Sequence, residues 1–200
     1  MADLNRFEHI EVTAREQWRD WLATNHERDE AVWLVTFKKH CGERYVDYGA
    51  TVEEALCYGW VDSHTRRVDK DRTKLLFSPR RSGSAWSSSN KERVERLIAD
   101  GKMTPAGLAK IEDAKRDGSW TFMDDIEAGI APEDLRAALD ANPDASANWE
   151  KIRHSANKVI LLWIKTAKTD KTRSKRIDET VAKAADGKLA AHPPGKDLIA

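Results

Sequence analysis

Hydrophobic positions along the chain follow two rhythms, one of about 3.6 residues and one of two, and the change between them marks the elements. Ala14, Trp18, Trp21 and Leu22 recur on one helical face, and Thr13 with Glu16 three residues later has the form of a capping box. This predicts a helix from Ala14 to about Asn25, with its two indoles in a packed seam rather than on a ligand platform. Ala31–Phe37, AVWLVTF, is β-branched and aromatic with little polar alternation, the pattern of a strand buried on both faces. After a turn at Gly42, RYVDY at Arg44–Tyr48 alternates like a second strand and predicts a hairpin with the first. Thr51 with Glu54 suggests another capping box and a short helix ending at Gly59. Trp60–Val68 and Thr73–Ser78 predict a second hairpin around the polar turn Asp69–Arg72.

Pro79 to Ser87 has loop composition. Ser89 with Glu92 then predicts a helix whose apolar face is Val94, Leu97 and Ile98, stopped by Gly101. Thr104 as N-cap and Pro105 at the first helical position open the next helix, which runs to about Arg116 and is stopped by Gly118. Beyond Ser119 the signals are helical. Pro132 and Pro143 start helices, Val159–Ile164 (VILLWI) is apolar all round, and Asp170–Ala185 turns Ile177 and Val181 inward beneath a basic face. The expected architecture is α+β. A small, mainly antiparallel sheet flanked by helices occupies residues 1–118, a helical segment over 119–200 packs on it, and the tail from Ala190 to Ala200 is expected to be mobile.

Composition narrows the function. The 200 residues carry 34 acids and 34 Lys or Arg, so the whole protein is not a generic polyanion binder. Charge is nevertheless patterned: His64–Arg81 holds seven bases against two acids, and Lys165–Arg176 six against one. Two cysteines, Cys41 and Cys57, are too few for a disulfide framework and suit a reduced setting. With no secretory pattern and no apolar run long enough to span a membrane, a cytoplasmic protein is expected.

The densest concentration of rings, cations and serines lies between Glu53 and Leu97. Ser87, Ser88 and Ser89 open a helix just after Arg80 and Arg81, where free N–H groups and the helix dipole attract anions. Lys91 can add charge and Trp86 a stacking surface. The groove expected on this basis comprises Trp60, Asp62, Arg66, Arg80, Arg81, Trp86, Ser87, Asn90 and Lys91, with a small anionic ligand or a protein partner as its occupant. Plain capping serines, solvated arginines and a core indole are the competing reading of the same residues. Cys57, Asp62 and His64 permit a nucleophile, orienter and base, yet a thiol among Ala55, Leu56 and Tyr58 is more often buried and inert. The six histidines show no metal-binding spacing, so neither metal nor cofactor is expected. Interleaved bases and aromatics from Trp60 to Trp86 keep single-stranded nucleic acid as an alternative. The Lys171–Lys183 face or a sheet edge at Arg44–Tyr48 would suit a partner protein, and a homodimer is compatible with the sequence.

Three strings carry a resemblance: EEALCYGWVDS at Glu53–Ser63, LLFSPRRSGSAWSSSNKERVERLIADGKMTPAGL at Leu75–Leu108, and AKTDKTRSKRIDETVAKAADGK at Ala167–Lys188. In this order they resemble the YdeI/OmpD-associated, or bacteriocin-protection, family. The resemblance implies a part in tolerance of antimicrobial peptides and envelope stress and supplies no catalytic residues. Some members are presumed periplasmic, whereas this sequence shows no export signal.

Overall fold

The computed structural model describes residues 4–193, 197 and 199. It divides into two compact units, residues 1–122 and 123–200. The first is built on a four-stranded sheet of order β1-β2-β4-β3, with β1 at His9–Glu11, β2 at Val32–Phe37, β3 at Trp60–Arg67 and β4 at Arg72–Pro79. β1 pairs parallel with β2, while β2 with β4 and β3 with β4 are antiparallel. β2 is central and buried along nearly its whole length, as its apolar run requires. The β3–β4 hairpin forms where alternation and the polar turn place it. β1 was not foreseen, because three residues, HIE, carry no readable period and only tertiary pairing makes them a strand.

Among the described residues, the α-helices of this unit are α1 (Arg15–Asn25), α2 (Tyr48–Cys57), α3 (Ser88–Ala99) and α4 (Pro105–Asp117). Helix α2 touches α1, β3, α3 and α4, which explains why Thr51, Val52, Glu54, Ala55, Leu56 and Cys57 are all buried. On the helix-covered face of the sheet, Val32, Leu34, Leu75 and Phe77 meet Trp18, Leu22, Val52, Leu56 and Trp60. The indoles there are anchored at both ends. Trp18 stacks on Trp21 with centroids 5.2 Å apart and donates to Thr51 O, while Trp60 meets Trp21 edge-on at 5.8 Å and donates to His26 O. The seam expected for α1 is therefore present.

Two local expectations fail, and for the same reason. RYVDY is not a strand: Lys39–Arg44 forms a 3-10 turn, Tyr45 makes one isolated bridge to Phe37, and Asp47 caps α2 by accepting from Ala50 N–H. The first hairpin therefore does not exist, and neither does a sheet edge there for a partner. Thr51 and Glu54 lie inside α2 rather than at its start, since Asp47 supplies the cap four residues earlier. Near α1 and α3 the caps shift similarly. The Thr13 N–H and hydroxyl donate to Gln17 rather than engaging Glu16, and Ser87, not Ser89, accepts from Asn90 N–H at the start of α3. Thr104 caps α4 as expected, and Gly118 ends it in the left-handed region at φ 80°.

In the second unit, α5 (Asp124–Glu127), α6 (Glu133–Asp140), α7 (Pro143–Trp149), α8 (His154–Lys165) and α9 (Asp170–Ala185) are helical. α9 packs against α6, α7 and α8. Buried side chains include Leu135, Leu139, Trp149, Ile160, Leu161 and Ile164, and α9 turns Ile177, Thr180 and Ala184 inward. α8 is less enclosed than its composition suggests, since Val159 is exposed. Of the tail, residues 194–196, 198 and 200 lie outside the described ones. The Asp197 carbonyl accepts from Leu189 N–H, and Ile199 N–H donates to the Gly187 carbonyl.

Two contacts fix how α2 sits. Glu54 is 3% exposed and its carboxylate accepts from Arg15 and, at 2.6 Å, from Arg19, both on α1. At the other end, the Cys57 carbonyl accepts from the hydroxyl (2.6 Å) and backbone N–H (3.2 Å) of Thr104. There α4 approaches so closely that a Cβ on Gly107 would stand 2.3 Å from the Cys57 carbonyl oxygen. Gly107→Ala is therefore expected to lower stability by roughly 1–3 kcal/mol, although helix propensity alone would raise it by about 1 kcal/mol. Urea unfolding decides the sign. Glu54→Gln is expected to cost about 2 kcal/mol in the same measurement, because a buried acceptor of two guanidinium groups becomes a neutral amide.

Candidate functional site

The nine residues expected to line one groove are dispersed, and their polar atoms are largely engaged by the chain itself. Trp60 is a core side chain. Arg66 lies over the ring of Trp33 at 5.6 Å. Asp62 accepts from the Tyr48 hydroxyl at 2.8 Å, Ser87 is occupied as the α3 cap, and the Asn90 side chain accepts from Arg93. Lys91 sits 5.3 Å from the ring of Trp120, which in turn meets Trp86 at 5.0 Å. Of the nine, Arg80, Arg81 and Trp86 share a hollow among the described residues, and its volume is about 50 Å³.

Arg80 turns inward. It is 3% exposed, its guanidinium stacks on Trp86 at 3.7 Å, and it donates to the carbonyls of Ser84 and Ala85. Burial pulls its pKa down to about 10, opposed by the charge of Asp62. Its Nε and the indole N–H of Trp86 have no hydrogen-bond partner among the described residues. The loop after Arg80 does bind an anion, but an internal one: the Asp117 carboxylate accepts from the Ser82 hydroxyl and the N–H groups of Gly83 and Ser119. These bonds hold the Asp117 carboxyl well below the usual carboxylate range. An external phosphate would have to displace it.

The Cys57 arrangement is sealed as well. The Cys57 side chain is fully buried, and burial together with the charge of Glu54 pushes the thiol pKa up, against Arg19. His64 is exposed on β3, and the strand pairing shifts register between Asp62 and Thr65. No activated nucleophile results.

A larger hollow of about 310 Å³ opens on the helix-covered face of the sheet, at the end away from Trp60. Leu34 and Thr36 of β2, Thr73 and Leu75 of β4 and Thr65 of β3 form its floor, since alternate residues on paired strands share a face. Phe37, Tyr45, Val46 and Tyr48 form the wall. The core cluster continues into this space through Leu34, Val46 and Leu75. The chain enters α2 at its N-terminus there, and the 3-10 turn at Lys39–Arg44 covers the sheet only partly. The polar groups are few and placed. The hydroxyls of Thr36 and Thr65 have no partner among the described residues, and neither has the ammonium of Lys39. Lys38 instead donates to the carbonyls of Asp69 and Lys70. Tyr48, bound to Asp62, is pushed up to about 12 by partial burial and that carboxylate, so its hydroxyl stays protonated near neutrality. A mostly apolar hollow with a few convergent polar groups is the usual form of a small-molecule site. The sequence did carry a trace of it, in threonines at inward positions near strand ends.

In the second unit a polar hollow of about 380 Å³ is bordered by Arg136, Asp140, Ser146, Trp149, Glu150 and Asn157. The Asn157 Oδ1 is buried without a partner among the described residues. No helix among the described residues is long and apolar enough to cross a membrane.

Comparison with known proteins divides the chain at a similar place. Residues 10–110 match the family model described as a domain of unknown function, DUF8412, and residues 129–187 match the model described as bacteriocin-protection, YdeI or OmpD-associated. No curated protein and no solved structure matches. The string at Ala167–Lys188 lies almost wholly within the second matched segment, whereas those at Glu53–Ser63 and Leu75–Leu108 lie within the first. The sheet-face hollow, too, is lined entirely from within residues 10–110. The chain thus belongs to the family of that domain of unknown function, which matches half its length, and carries after it a bacteriocin-protection, YdeI or OmpD-associated domain.

Proposed function

We propose that the chain is a ligand-binding protein, without catalysis of its own, that contributes to tolerance of toxic peptides or envelope stress from within the cytoplasm. The ligand is a small molecule with an apolar body and one acidic group. Its body lies on Leu34, Val46 and Leu75, its polar atoms meet Thr36 and Thr65, and its carboxylate pairs with Lys39. The observation that carries this reading is the hollow of about 310 Å³ in which an otherwise apolar lining presents two hydroxyls without partners among the described residues. The description of the C-terminal domain supports the protective role, and two free thiols suit a reducing compartment. The anionic character expected of the ligand is retained, but its cation is Lys39 rather than Arg80, which the fold has buried.

A thermal-shift and calorimetric series with medium-chain and aromatic carboxylates is expected to show saturable binding. Thr65→Trp, at an exposed strand position, should fill the hollow and abolish it. Lys39→Ala should weaken a carboxylate about fivefold, the equivalent of ~1 kcal/mol for a rim charge, and leave the matching primary amide unaffected. Absence of saturable binding, or binding indifferent to Thr65→Trp, would refute the site.

A second expectation concerns the thiols. Iodoacetamide should modify Cys41 in the native protein while Cys57 stays unmodified until denaturant is added. Rapid native labelling of Cys57 would restore a catalytic reading.

A further inference from the structure

Three chemically different donors meet beside the β3–β4 turn: the imidazole of His40, the thiol of Cys41 and the carboxylate of Asp71. One ligand atom from each lies within 4.8 Å of the others, and His40 Nε2 already stands 3.1 Å from Asp71 Oδ1. Asp71 lies 31 positions after His40 and 30 after Cys41, so no spacing motif announces them. We propose that His40, Cys41 and Asp71 form a binding site for a zinc-like divalent transition metal ion.

The backbone holds these groups together without any ion. Lys38 N–H donates to the Asp71 carbonyl at 2.8 Å, Cys41 N–H donates to the Lys38 carbonyl at 2.8 Å, and the Cys41 thiol faces the same Asp71 carbonyl at 3.7 Å. This ties the 3-10 turn carrying His40 and Cys41 to the start of β4. Gly42, at φ 62° and ψ −125°, then redirects the chain in a conformation that side chains rarely adopt. Ligands about 2.0–2.3 Å from a tetrahedral ion stand about 3.3–3.8 Å from each other, so binding requires the His40–Asp71 pair to open slightly from 3.1 Å and the separations now reaching up to 4.8 Å to shorten.

The donor set decides the ion. A thiolate with an imidazole and one carboxylate suits zinc and its neighbours, whereas calcium and magnesium need oxygen cages. Lys39 and Lys70 are neighbours in sequence that disfavour a bare cation, so affinity must come from the thiolate bond. On binding, the Cys41 S–H bond is replaced by a metal–sulfur bond and the proton passes to solvent. Three protein ligands leave a fourth position for water or for an external donor. The site does not depend on a ligand in the sheet-face hollow, and either can fail without the other.

Cobalt(II) is the test ion, added to the full chain after treatment with a chelator. A near-ultraviolet thiolate-to-cobalt charge-transfer band should appear with one ion per chain and disappear when zinc is added in competition. Cys41→Ser should abolish the band, His40→Ala and Asp71→Asn should each weaken binding at least tenfold, and Cys57→Ser should leave it intact. In parallel, zinc should slow alkylation of Cys41 in the native protein while magnesium does not. Absence of the band, its survival in Cys41→Ser, or equal protection by magnesium would each overturn the site. Circular dichroism of every variant separates loss of a ligand from loss of the fold.

Discussion

The N-terminal unit depends on how closely two helix ends are allowed to meet. The last carbonyls of α2 stand against the first turn of α4 at Gly107, with Thr104 donating twice to the Cys57 carbonyl. Once that approach is fixed, α2 can lie in only one way across the sheet, and α1 and α3 must accommodate it. Glu54 holds the rotation from the other side through Arg15 and Arg19. A buried carboxylate with two guanidinium partners contributes little net stability, but it excludes rotations of the helix that would strand the charge.

This arrangement also leaves the hollow on the sheet. Helices cover the end of the sheet at Trp60 and Phe77, where large rings fill the space. Towards Thr36 and Thr73 the covering thins to a short 3-10 turn and the tyrosines that follow it. A fold with RYVDY as another strand would have extended the sheet instead. The chain uses those residues to reach Asp47, the cap that starts α2, and the space remains.

Much of the fold could be read directly. The unbroken apolar run of β2, the polar turn between β3 and β4, and the Thr104–Pro105 start of α4 each carry a local signal strong enough to survive tertiary packing. The Thr51–Glu54 pair misled because a capping pattern is short, and burial within α2 outweighed it. The site was less legible. Clustered arginines and serines suggested convergence on a ligand, but whether a guanidinium faces water or an indole depends on contacts distant in sequence, and here Trp86 took Arg80 while Asp117 filled the loop. His40, Cys41 and Asp71 were likewise invisible as a group, since only the pairing of β2 with β4 brings them within reach.

The hollow shares its apolar floor with the core, through Leu34 and Leu75. A molecule resting there would finish an interior that the polypeptide leaves incomplete, so occupancy and resistance to unfolding become one equilibrium. The abundance of such a protein in a cell full of proteases would then follow the supply of whatever completes it, without any change in its synthesis.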